Sequence, residues 1–371
     1  MSFTSLVFRN LFRQRMRTTL TVVGIAVGIT IVVALGAITG GVEKTVGGWL
    51  RVGGADFVVA RRGSADFTLS TVTKKEWAEL EALDGVERAT GVLMRVTRHG
   101  SNPYFILMGI RPAQLAQAPP ELVAGRLLAP GSTDEVLLGS RAASSTDSAP
   151  GSQIVIDGER FVVVGVYRSG DVVSDSGAYA PLETVQEISR TPGVVTAVYV
   201  TAVPGTDPIA LAATIEDEMP TLTTVASIDE WDKVDQGMRV MDAMNLAVST
   251  LAVVLGAIAV MNTMIMAVFE RTREFGILRA VGWRGSRIMR LIFLEALLLC
   301  LVAAVLGTAL GVLATRGILL IEAVRGFLEP TYTLDVFVRA IVIASAVALV
   351  GALYPAYRAV RLSPMEALRH E

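Results

Sequence analysis

Four long apolar runs punctuate the chain, at 18–40, 244–269, 288–315 and 336–357. Roughly twenty apolar residues cross the hydrocarbon of a bilayer, so each run predicts a transmembrane helix. The first carries no charge between Thr18 and Ile38. A cleavable signal peptide is its rival, because basic residues precede it and Ala34, Gly36 and Ala37 close it, but the run is long for a signal core and three further spans accompany it. Gly24 and Gly28, four residues apart, would let a second helix approach closely. In the second run Asn245 and Asn262 interrupt the apolar sequence, and interhelical hydrogen bonds worth roughly 1 kcal/mol would satisfy them. Arg339 lies where it can snorkel outward from the start of the fourth. Ahead of the first run, residues 1–17 place Phe3, Leu6, Val7 and Leu11 on one helical face and read as an interfacial helix.

Between the first and second runs the pattern changes to short alternating segments. Residues 41–243 read as an α+β domain and its stalk. Strands are predicted in ADFVVAR and at 92–97, 104–110, 135–138, 153–156, 161–167 and 194–201, separated by Gly, Pro and Ser. Asp157 and Gly158 supply the turn of a hairpin in IVIDGERFVVVGV. Helices are predicted at 73–83, where Thr73 and Glu76 form a capping box, and at 182–189 and 209–219. Gly47, Gly48, Gly53 and Gly54 are expected to break the chain before the first strand, 144–152 to form a loop, and 227–241 to form a helix running on into the second span. The fold class is therefore an α-helical membrane protein with four transmembrane helices and a large extracytoplasmic α+β domain between the first and second spans. An outer loop at 316–335 joins the last two spans, with Ile318 to Ile321 and Phe327 able to rest on the outer surface.

Composition and charge support this division. Of 371 residues, 52% are hydrophobic and the mean hydropathy is +0.54, too apolar for an ordinary soluble protein. The short segments at the start of the chain, at 270–290 and at 358–371 carry 13 basic and four acidic residues, whereas 41–242 carries 17 basic and 27 acidic ones. Positive-inside bias then places those short segments and both termini in the cytoplasm, as expected of a multi-pass protein of the inner or plasma membrane. The single cysteine, Cys300, excludes an intrachain disulfide. Basic clusters flank spans without interleaved aromatics, so no nucleic acid is expected as a partner.

The most informative connection is 270–295, ERTREFGILRAVGWRGSRIMRLIFLE. Phe275, Leu278 and Val281 recur at helical spacing, Glu274 and Arg279 suit the two ends of the helix dipole, and Gly282 can close the turn. A short amphipathic helix is predicted at 270–287, its apolar face meeting a protein partner or the lipid headgroups. Glu295, a turn or two inside the next span, is costly there unless paired, and Arg290, Arg287 or a partner's residue could pair with it.

At these residues the chain resembles the FtsX/MacB-type permeases of ABC transporters. The matching positions are Glu270, Arg271, Thr272, Arg273, Glu274, Phe275, Gly276, Ile277, Leu278, Arg279, Ala280, Gly282 and Glu295. The tail LYPAYRAVRLSPMEALRHE resembles the family's tail, and EVLLGSRAA, GSQIVIDGERFVVVGVY and AYAPLETVQEI resemble its MacB-type periplasmic core domain. The resemblance implies that Arg273 to Ala280 with Gly282 form a coupling helix touching a separate ATPase, helped by Pro364, Glu366, Ala367 and Leu368 in the tail. It further implies two ATPase copies, a second permease subunit as homodimer or heterodimer, and a mechanotransmission scheme in which the outer domain does the work. That work would be export of an amphiphile, peptide, lipoprotein or drug, with an extracytoplasmic partner possible. The alternative is activation of a cell-wall hydrolase without transport. Residues 41–242 show no cluster that identifies a substrate.

Catalysis by the chain itself is not expected. No Gly-Lys dipeptide occurs, so an ATP-binding G-x-x-x-x-G-K-[ST] loop is absent from this sequence. ATP and Mg are expected in the partner ATPase, with no cofactor here. His99 and His370 are the only histidines, which argues against a His-rich metal site or a Ser-His-Asp hydrolase.

Overall fold

The computed structural model describes residues 15–50, 52–100, 102–321, 324 and 329–361. Residues 1–14 of the interfacial helix predicted at 1–17, Phe327, and the tail residues Pro364, Glu366, Ala367 and Leu368 lie outside them. In chain order the elements begin with α1 (Arg15–Leu50), β1 (Phe57–Arg61), β2 (Val72–Thr73), α2 (Lys74–Ala82), β3 (Val86–His99), β4 (Asn102–Ile110), α3 (Pro112–Gln117) and β5 (Glu121–Gly125). They continue with β6 (Glu135–Gly139), α4 (Ser140–Ser145), β7 (Gln153–Ile156), β8 (Glu159–Arg168), α5 (Val172–Asp175), β9 (Ala178–Pro181), α6 (Leu182–Ser189), β10 (Val194–Val195), β11 (Ala197–Ala202), α7 (Pro208–Glu218) and β12 (Leu222–Val225). The last are α8 (Gly237–Glu270), α9 (Thr272–Ala280), α10 (Gly285–Ile318) and α11 (Leu334–Arg361). Two units result, one α/β (Thr39–Asp242 with Ile318–Thr331) and one helical, built around α8 to α11 and the start of α1.

In the α/β unit a ten-stranded mixed sheet runs in the order β12-β1-β11-β3-β4-β9-β6-β8-β5, with β7 paired to β8. Among the described strands only the pairs β4–β9 and β6–β8 are parallel. The period of two in a strand sends successive side chains to opposite faces, and both faces are buried. Phe57 and Val59 of β1, Ala89 and Leu93 of β3 and Phe105 and Leu107 of β4 enter one core. Val58 and Ala60, Val92 and Met94, and Ile106 and Met108 from the same strands enter the other. α2, α6 and α7 cover the first face. Trp77 of α2 sits so close over Gly91 that a Cβ there would lie 2.7 Å from its ring, and its indole N–H donates to the Ala89 carbonyl (3.0 Å). The capping box of Thr73 and Glu76 is present, and Asp157 and Gly158, both at positive φ, turn the β7–β8 hairpin.

Three expectations give way to packing. Gly47 and Gly48 lie inside α1, because the helix buries Val46 and Leu50 and packs Trp49 against a core containing Phe67 and Trp231. That burial outweighs a glycine cost of about 1 kcal/mol each. The helix predicted at 227–241 is interrupted after a 3₁₀ turn at Ile228–Lys233. There Asp235 accepts from the Gly237 and Phe67 amides (2.7 and 3.3 Å), a local alternative to the helix ladder. The strand expected at 194–201 is split into β10 and β11. α3, α4 and α5 are four to six residues long, too short to show a helical period.

In the helical unit α1, α8, α10 and α11 are each long and apolar enough to cross a membrane. Small residues set their packing, as membrane helices gain little from apolar burial against lipid. A Cβ on Gly307 would lie 2.8 Å from the Ile29 side chain, and one on Gly311 2.9 Å from that of Val33. Gly256 meets Val347, and Gly351 meets Val260, in the same way. Of the predicted pair, Gly28 touches Ala252 of α8, whereas Gly24 has nothing within 4 Å. Asn245 is buried and Asn262 exposed.

Candidate functional site

The connection after α8 folds into α9, as its pattern predicts. Glu274 occupies the first turn and Arg279 the last, each opposite the dipole end it favours. The C-terminus closes as a Schellman motif: Gly282 has φ 97°, its N–H donates to the Arg279 carbonyl, and the Trp283 N–H donates to that of Leu278, both at 3.0 Å.

Two arginines hold α9 in place. The Arg271 guanidinium, just before the helix, donates through Nη1 to both carboxylate oxygens of Glu295 (3.1 and 3.4 Å) and through Nε to Glu274 (3.1 Å). It lies 5.1 Å from the Phe275 ring centre, within cation–π reach. Arg271 and Glu295 are both nearly buried, so the carboxylate on α10 is paired, by Arg271 and not by Arg287 or Arg290, which are exposed. Arg279 donates to the Val360 carbonyl in the last turn of α11 (2.5 Å). Close by, a Cβ on Gly285 would lie 2.6 Å from the Val360 side chain, so the start of α10 fits against the same turn. At the other end of the connection Arg17 of α1 meets Glu270 (3.4 Å).

The structure turns two of the three stripe residues of α9, Phe275 and Leu278, inward. Phe275 is only 2% exposed and Gly276 is also buried; Phe275 belongs to the core of the four-helix unit, and Leu278 packs against that core. Phe275 and Leu278 of the predicted stripe face the protein's own helices, as on amphipathic surface helices, whereas Val281 does not. Ile277 (47% exposed) and Val281 (76%), with Arg273, Glu274, Ala280 and Gly282, are exposed. Arg273, Ile277, Ala280 and Val281 follow i, i+4, i+7, i+8 spacing and so share a face. That spacing was present in the sequence beside the bulkier Phe275, Leu278, Val281 set.

Comparison with known proteins places both units. The sequence model described as the MacB-like periplasmic core domain matches residues 18–218, and that of the FtsX-like permease C-terminal matches 246–364. The macrolide export ATP-binding/permease protein MacB of Syntrophobacter fumaroxidans is 38% identical over 131 residues, covering 35% of this chain and 18% of that protein. The protein of the same name from Bordetella avium is 39% identical over 136 residues, covering 36% and 20%. The match thus spans about a fifth of these relatives' length. A crystal structure of the periplasmic region of MacB from Actinobacillus actinomycetemcomitans covers 48% of this chain and is 92% covered by it, at 14% identity and a TM-score of 0.40.

Proposed function

This chain belongs to the MacB/FtsX-like permease family, and from that membership we propose that it couples ATP hydrolysis, performed outside its own residues, to movement of its extracytoplasmic domain. The work done is export or extraction of an amphiphile, peptide, lipoprotein or drug. The partners are two copies of an ABC ATPase, which bind the ATP and Mg, and a second permease subunit.

The observation that carries the reading is α9. Arg271 and Arg279 fasten it to α10 and α11, while Arg273, Ile277, Ala280 and Val281 remain exposed. A helix held on one side and exposed on the other, with Ile277, Ala280 and Val281 beside Arg273, can receive a push and hand it to the spans. The ATPase contact belongs to this exposed face, and Phe275 supports it from behind.

ATPase activity of the complex reconstituted in liposomes tests this. Ile277→Asp and Val281→Asp are expected to lower ATPase binding and coupled activity at least tenfold with unchanged melting of the permease. Phe275→Asp is expected to lower the melting temperature itself. Full coupling in both surface variants would remove α9 as the contact. Stimulation by a cell-wall hydrolase and by no exported compound would replace export with regulation.

A further inference from the structure

The last two turns of α11 carry a patch that the contact face of α9 does not use. Tyr354, Tyr357, Arg358 and Arg361 follow i, i+3, i+4, i+7 spacing and so share a face, and all four are exposed. The Arg358 guanidinium lies 4.5 Å from the centre of the Phe269 ring on α8, and that of Arg361 lies 4.6 Å from the Tyr357 ring. Beside Arg358, the side chains of Ile265, Val268, Phe269 and Pro355 line a shallow recess between α8 and α11.

These two arginines differ from others at the same end of the helices. Arg17 meets Glu270, Arg271 meets Glu274 and Glu295, and Arg279 donates to the Val360 carbonyl. Among the described residues no carboxylate forms an ion pair with Arg358 or Arg361; their contacts are with ring faces. A guanidinium laid on a ring is oriented through its face and keeps the N–H groups of its edge free, and that planar fork matches the oxygens of a phosphate. What surrounds the patch follows from the spans. α8 and α11 are long and apolar enough to cross a bilayer, and aromatic and basic residues at the end of a span lie at the level of the lipid headgroups. Two positive charges there favour a headgroup of net negative charge over a zwitterionic one, whose own cation they repel.

We propose that this face holds an anionic phospholipid of the adjoining leaflet, with its phosphate on Arg358 and Arg361 and its acyl chains along the recess and Tyr354. The Val360 carbonyl that receives Arg279 lies in the same turn, so the lipid steadies the part of α11 to which α9 is fastened. Binding needs neither ATP nor an ATPase, so this inference and the coupling role of α9 fail independently.

The test places a fluorophore beside the patch. Leu353, exposed and one turn into the span from Tyr357, is replaced by cysteine in the full chain and labelled with bimane, Cys300 being buried. In phosphatidylcholine nanodiscs, nitroxide-labelled phosphatidylglycerol is expected to quench the label with an affinity roughly fivefold or more above that of nitroxide-labelled phosphatidylcholine. Arg358→Gln with Arg361→Gln brings the two lipids to parity. Arg284→Gln with Arg287→Gln removes the same charge from exposed positions at the same end of the helices and leaves the preference unchanged. Arg358→Lys with Arg361→Lys keeps the charge without the planar fork and loses most of the preference. Thermal melting by circular dichroism verifies that each variant is folded. Parity in the unsubstituted protein, or equal loss from the two glutamine pairs, would mean a diffuse surface potential and would overturn the site. A lysine pair as selective as arginine would overturn recognition by the stacked guanidinium groups. Displacement of the lipid by inorganic phosphate at constant ionic strength would assign the patch to a soluble anion instead.

Discussion

Glu216 of α7 shows how one carboxylate can fasten a helix to a sheet edge. Burial pushes its pKa up, but the Thr224 amide (2.7 Å) and the hydroxyls of Thr223 and Thr224 (2.7 and 2.8 Å), aided by Lys233, prevail and hold it at about 2, against an ordinary value of 4.5. Because the folded value is depressed, the stabilisation is fully present above pH 4.5 and is lost as pH falls through about 2. Its size is on the order of 3 kcal/mol. Glu216→Gln is therefore expected to lower urea resistance of the α/β unit at pH 6 by that order, with the gap to wild type closing between pH 4.5 and 2. Tryptophan fluorescence reads this, since Trp49, Trp77 and Trp231 lie in that unit and only Trp283 lies elsewhere. A gap independent of pH would show that hydrogen-bond geometry, and not ionisation, is responsible. At this scale the sequence is legible where partners are local. The Thr73 and Glu76 box, three residues apart, could be read directly; the need of Glu295 for a partner could be read, but Arg271, 24 residues away, is chosen by the rotation of two helices.

Elements were legible in kind more than in facing. The period of α9 is plain in the sequence, but an apolar stripe at that period suits a partner, a lipid surface or the protein's own core alike. Burial of Phe275 decides for the core. Glycine spacing was ambiguous in the same way, for Gly24 and Gly307 differ only in what stands opposite. Gly307→Leu drives a side chain into Ile29 and the Ala26 carbonyl, and overpacking of this kind costs about 1–3 kcal/mol. A drop of several degrees in melting temperature in detergent is expected, whereas Gly24→Leu should change it within the small range of surface substitutions. Equal losses in the two variants would mean that intrinsic helix properties, and not the contact between α1 and α10, govern the effect.

For the whole molecule, order along the chain and the sign of charge carry the prediction. Six arginines lie between Glu270 and Glu295, while residues 41–242 are acidic on balance. Short connections obey the positive-inside bias and long domains follow them, so the proposal puts α9 on the cytoplasmic side and the α/β unit outside the cytoplasm. Each side offers an exposed reporter, Val281 beside α9 and Ile209 on α7. The one native thiol, Cys300, is buried, so a background without engineered thiols should stay dark. In intact cells a membrane-impermeant maleimide is expected to label Ile209→Cys and to spare Val281→Cys, with permeabilisation exposing the second. Labelling of Val281→Cys from outside would place α9 away from any cytoplasmic ATPase. The coupling role would then fall even though the exposed face of α9 stayed as it is, because a contact surface transmits work only from the side on which ATP is hydrolysed.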